Sequence, residues 1–166
     1  MRGLLALIFS LILTLFLTFL EGCAEVVTAQ KARLPKDGVY AVLPFENYTE
    51  TPLAGYRVAS IAEGVLRARG YEVVRVWSYD VKEPTKEELE KLKREAQKKA
   101  RYLVYGTVNE FRYKAGIDGE PAVSVSLFVY DAKEKKVVKG ASASATGWSY
   151  ESVGTVVHEL LKKLLR

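Results

Sequence analysis

Ala122-Val123-Ser124-Val125-Ser126-Leu127-Phe128-Val129-Tyr130 alternates strictly, placing Val123, Val125, Leu127 and Val129 on one side and Ser124, Ser126, Phe128 and Tyr130 on the other. That period of two predicts a strand buried on one face. Working outward, Gly116-Ile117-Asp118-Gly119 and Lys133-Glu134-Lys135 read as turns, so Arg101 to Lys114 and Lys136 to Gly147 are flanking strands. The three make an antiparallel meander. The last of them alternates Ala141, Ala143 and Ala145 with Ser142, Ser144 and Thr146, which permits close approach of another element.

Upstream, Val39 to Phe45 is a compact apolar run of the buried-strand type, closed by Glu46-Asn47-Tyr48. Thr51 as N-cap and Pro52 at the first helical position predict a helix, carried by Ala54, Val58, Ile61, Ala62 and Val65 and stopped by Gly70. Tyr71 to Trp77 is β-rich. Thr85 and Glu88 have capping-box spacing before a charged helix with a narrow stripe of Leu89, Leu92 and Ala96. A closing helix from about Ser149 carries the stripe Val153, Val156, Val157, Leu160, Leu161 and Leu164. The order β-α-β-α-β-β-β-α predicts one α/β domain over residues 39–166, a mixed sheet with an antiparallel C-terminal meander packed by three helices.

The N-terminus reads as an address. Leu4 to Leu20 is uncharged and ends in Leu20-Glu21-Gly22-Cys23, which looks like a bacterial lipobox. Residues 1–22 are then a lipoprotein signal peptide, Cys23 is the acylated residue (palmitate among its chains), and residues 23–38 are a tether without periodic apolar pattern; the alternative reading is an uncleaved N-terminal anchor, and either way the domain is exported and membrane-tethered. Ala24 after the cysteine lacks the aspartate that marks inner-membrane retention, which implies the outer membrane.

With Cys23 the one cysteine and His158 the one histidine, intramolecular disulfides and Cys/His metal sites are excluded. No Walker loop is present, and His158 lies off the apolar stripe of its helix, as a surface residue would. The chain therefore predicts no enzyme activity, no cofactor and no metal. Its net charge of +5 and pI near 9.2 do not argue for nucleic acid, which an exported protein does not meet; phospholipid headgroups or an anionic wall polymer fit better.

Several stretches carry a resemblance. Val39 to Phe45 with Glu46-Asn47, Pro52-Leu53-Ala54-Gly55, Leu66-Arg67-Ala68-Arg69-Gly70, the segment from Tyr113 to Val123, and Thr146-Gly147-Trp148 together resemble the PelC family, outer-membrane lipoproteins of Pel exopolysaccharide export. The first run also looks like curli-secretion and penicillin-binding-protein-activator lipoproteins and the N-terminal domain of TolB. The PelC resemblance implies a non-enzymatic homo-oligomeric ring, lipid-anchored on the periplasmic face of the outer membrane. Such a ring guides a cationic polysaccharide to the porin of a PelB-like partner with periplasmic helical repeats. It further implies that Trp148 contacts the membrane, and it makes Asp118 and Glu120 in the matched loop the candidate carboxylates for guiding the polymer, with a turn-shaping role as the alternative. A charge of +5 fits badly with attraction of a cationic polymer unless the acidic residues are segregated on one face. A second expectation from the sequence is a monomeric lipoprotein that regulates or activates a cell-wall synthesis enzyme.

Overall fold

The structure is a computed structural model that describes residues 1–17, 25–115, 117 and 119–166. In chain order the elements are α1 (Arg2–Leu17), β1 (Glu25–Ala29), β2 (Tyr40–Val42), β3 (Glu46–Asn47), α2 (Ala54–Ala68), α3 (Lys86–Gln97), β4 (Tyr102–Ala115), β5 (Glu120–Asp131), β6 (Lys136–Thr146) and α4 (Val153–Leu164). One six-stranded sheet runs β1-β6-β5-β4-β2, with β3 also on β4. β2 and β3 lie parallel to β4, whereas β4, β5, β6 and β1 are antiparallel neighbours. The architecture is the mixed α/β sheet with a C-terminal meander that the periodicity predicts.

Two layers explain the two apolar patterns. α2 and α4 cover one face of the sheet, where Val123, Val125, Leu127 and Val129 meet Val157, Leu160 and Leu161. α3 covers the other face only above β2 and β4, where Ala96 and Ala100 pack on Ala41, Leu43 and Leu103. β2 is thus buried on both sides, which is why its sequence is a continuous apolar run rather than an alternating one. Beyond the reach of α3 the same face stays open. There β5 and β6 present hydroxyls, Ser126 Oγ lying 3.3 Å from Ser142 Oγ.

Local chemistry moves some boundaries. The capping box forms as expected, Thr85 Oγ1 accepting from the Glu88 N–H and the Glu88 carboxylate from the Thr85 N–H. α2, however, begins at Ala54 behind Leu53 in the left-handed region, without a side-chain cap. Thr51 is not that cap because its hydroxyl donates to the Phe111 carbonyl at 2.5 Å, tying the turn to β4 instead. Gly55 is required here, since a Cβ would fall 1.9 Å from the Phe45 carbonyl oxygen.

The β-rich run Tyr71 to Trp77 joins the sheet edge through one parallel bridge, Val73 to Tyr40. It leaves because the Trp77 indole turns inward and donates to the Val42 carbonyl at 2.8 Å, satisfying the group a continuing strand would have used. Residues 25–29, within the stretch read as a tether, form β1 on the outer edge of β6. Residues 34–37 are strapped down as well. Tyr40 donates to the Pro35 carbonyl at 2.6 Å, and Tyr102 to Asp37 Oδ1 at 2.7 Å, the two rings stacking at 4.9 Å. Burial pushes the Tyr40 phenol well above its ordinary value, and burial and the bond to Asp37 lift that of Tyr102 to about 12.

Candidate functional site

Strand register brings Glu120 and the loop that carries Trp148 to one end of the sheet. Glu25 opens β1 opposite Ala145, Ala122 lies opposite Thr146, and Glu120 opens β5 opposite Ala115. The Gly147 N–H donates to the Pro121 carbonyl at 2.9 Å, which closes the end of β6 onto the start of β5. The start of β1, the β4–β5 turn and the Trp148 loop therefore emerge together. Cys23 and Asp118 themselves lie outside the described residues. Cys23 precedes Glu25 by two residues, a reach of about 7 Å of extended chain.

Trp148 is 41% exposed and projects from the loop between β6 and α4. Its backbone N–H donates to Glu151 Oε2 at 2.6 Å, which holds the turn that leads into α4. Its ring lies parallel to that of Tyr150, 82% exposed, with centroids 6.2 Å apart and 6° between the planes. Tyr150 was not singled out in the sequence, because tyrosine in a polar loop carries no pattern. Ile117, at the tip of the neighbouring turn, is also fully exposed. This end presents flat amphipathic rings and one aliphatic side chain beside a polar turn.

Charge is distributed unevenly along the strands. Glu46, Glu50, Glu110, Glu120 and Glu151 lie toward the end that carries Trp148, with Arg57, Arg112 and Lys114 as counter-charges. Arg112 is paired with Glu110 at 2.6 Å. At the opposite end Lys133, Lys135 and Lys136 occupy the β5–β6 turn, next to Lys98 and Lys99 at the end of α3. A chain of positive net charge thus keeps an acidic end. His158 is exposed on α4, away from these residues.

No protein-family model matches the chain, and no curated protein sequence does. Solved structures do match. The PelC dodecamer of Paraburkholderia phytofirmans, seen in two crystal forms, is 35% identical with a TM-score of 0.70, the match covering 86% of this chain and 96% of that one. The chain belongs to the PelC family. Lipoprotein GNA1162 of Neisseria meningitidis is a more distant match, 17% identical with a TM-score of 0.49 over 75% of this chain and 96% of that one. Among the described residues no helix is long and apolar enough to cross a membrane, α1 with its 16 residues reaching only about 24 Å.

Proposed function

We propose that this PelC-family protein is a non-enzymatic lipoprotein that forms a ring on the periplasmic face of the outer membrane and guides a Pel-like cationic exopolysaccharide to a PelB-like porin. The observation that carries the reading is the 35% identity, over 86% of the chain, to a protein that crystallises as a dodecamer. The geometry supports it. The chain emerging from an acylated Cys23 and the exposed Trp148–Tyr150 pair leave the same end of the sheet, so an acyl anchor and an interfacial indole would engage one membrane surface together. If every copy is anchored to one leaflet, the copies share an orientation and the ring axis stands along the membrane normal. Asp118 and Glu120 would then belong to an acidic end that each copy presents on the same side, where a polycation gains from the summed field.

Deleting the gene in its own host tests the function: polysaccharide should be made but fail to reach the cell surface. Surface polysaccharide at the parental level overturns the reading. Lipidation is tested separately, by labelling cells with a fatty-acid analogue. Label should appear on the wild-type protein and vanish in Cys23→Ser, and equal labelling of both would show that Cys23 is not the anchor.

A further inference from the structure

A groove of about 560 Å3 lies on the helix-covered side of the sheet, bounded by the starts of α2 and α4, the end of β4 and residues 75–79. Tyr56 and Trp77 form its floor, with ring centroids 5.3 Å apart. Tyr79 and Tyr113, 60% and 51% exposed, stand at its rim. Arg57 lies over the Tyr113 ring and donates to its hydroxyl, and the Arg75 guanidinium sits 4.6 Å from the centre of the Trp77 ring. Among the described residues no carboxylate lines the groove, while Asp80, Glu83 and Glu88 border the adjoining hollow that shares Tyr56 and Trp77.

Arg75 is held from beneath. Its Nε and Nη2 donate to Glu63 Oε2 at 2.9 and 2.5 Å, while Glu63 is buried and its Oε1 has no partner among the described residues. Burying a carboxylate with an unsatisfied oxygen is unfavourable. What it secures is a fixed cation on the floor of the groove. Tyrosine, tryptophan and arginine are the residue types that dominate binding energy at protein interfaces, and here exposed Tyr79, Tyr113, Arg57 and Arg75 are clustered over the buried rings of Tyr56 and Trp77.

A closed ring is built from heterologous contacts, in which one surface of each copy meets a different surface of the next. β4 carries both. Phe111 and Tyr113 point to the groove, whereas Glu110 and Arg112 point to the opposite, open side of the sheet. There Glu50, Glu110 and the exposed Tyr48 border a second hollow, with Glu46 accepting from the Tyr48 hydroxyl at 2.7 Å. This side is acidic where the groove is basic, with Arg112, tied to Glu110, as the counter-charge in the hollow. We propose that the aromatic groove is the socket for the acidic, Tyr48-bearing face of a second copy of this chain. The proposal rests on the ring reading and assigns its two contact surfaces.

The test uses the full chain in detergent, with copy number read by native mass spectrometry. Tyr79→Ala with Arg57→Glu alters the groove, and Tyr48→Ala with Glu50→Lys alters the acidic face. All four side chains are exposed, so far-ultraviolet dichroism and melting temperature should match wild type. Each variant alone should fall from the wild-type copy number to a monomer. Mixed together they should give a one-to-one pair and nothing larger, because each pair joins one intact groove to one intact face and is blocked at both ends. A groove variant that keeps the wild-type copy number overturns the proposal, as do two monomeric variants that do not pair. If such a variant assembles normally but loses binding of a neutral oligosaccharide, the groove belongs to cargo. A monomeric wild-type protein overturns the ring reading and this proposal with it.

Discussion

Asp131 is buried at the end of β5, yet its surroundings favour its charge. Arg101 donates to it through Nε and Nη2, the latter at 2.9 Å from Oδ2, and the N–H groups of Lys133 and Glu134 donate to Oδ1. Arg101 first, then those backbone donors, hold the carboxyl below its ordinary range against the opposing effect of burial. A carboxylate depressed in the folded state stabilises at pH values above its unfolded pKa of about 3.9, and the contribution is lost as pH falls through the folded value. The melting temperature should therefore drop on acidification below about pH 4. Asp131→Asn should melt lower at pH 7 and show a shallower acid limb in scans from pH 7 to 2.5; an unchanged limb would place the acid sensitivity elsewhere. At Trp148 the balance is different, because the indole is half in solvent and stacks on the exposed Tyr150. Trp148→Ala should change stability by less than about 1 kcal/mol, as surface substitutions do. Co-sedimentation of the protein with liposomes should weaken nonetheless. A loss of about 3 to 5 kcal/mol with unaltered liposome binding would instead describe an emptied core site.

Elements were legible where burial was one-sided and long. The six stripe residues of α4 are all buried, so Leu160→Asp puts a charge between helix and sheet with no partner. That costs several kcal/mol against a total stability of about 5 to 15, and the variant should be unfolded by circular dichroism at 37 °C. A folded Leu160→Asp protein with an altered copy number would mean that the helix lies at a subunit contact. The meander and the capping box were equally readable. β1 was not, although Glu25-Val26-Val27-Thr28-Ala29 is β-prone, because an exposed edge strand buries too little to impose a pattern and its partner is 120 residues away at Ala145. The start of α2 was misplaced for a related reason: whether Thr51 caps a helix or bonds to Phe111 depends on a strand far along the chain. Trp148 and Glu120 are candidates through a matched stretch of sequence, and it is the register that brings their loops to one end of the sheet. The aromatic groove had no sequence signal at all, since its walls come from α2, α4, β4 and a loop, and each tyrosine alone reads as packing.

For the whole molecule, the direction of the strands decides how a positively charged chain would handle the cationic cargo proposed for it. Net charge governs the field at distances beyond about 8 to 10 Å only weakly at physiological salt, so a polymer near the surface responds to the end it approaches rather than to the total of +5. Of the carboxylates at the end that carries Trp148, Glu120 and Glu151 lie outside the hollow assigned to the subunit contact, and the lysines of the β5–β6 turn are a full strand length away. β5 spans 12 residues, or roughly 40 Å at about 3.3 Å per residue, several screening lengths. Glu120→Lys should therefore weaken binding of a cationic chitosan oligomer by at least about fivefold at low salt, since a reversal near contact changes the interaction by about 1 kcal/mol or more per neighbouring charge. In a ring the loss would be repeated in every copy. Lys133→Glu, the same size of change in net charge with opposite sign at the far end, should leave the affinity within about twofold, and both effects should fade at high salt. Titration of fluorescent oligomer by anisotropy measures all three proteins under one set of conditions. If Lys133→Glu strengthens binding as much as Glu120→Lys weakens it, the cargo senses total charge and the acidic end has no special role. If neither matters, the polymer is not held by charge.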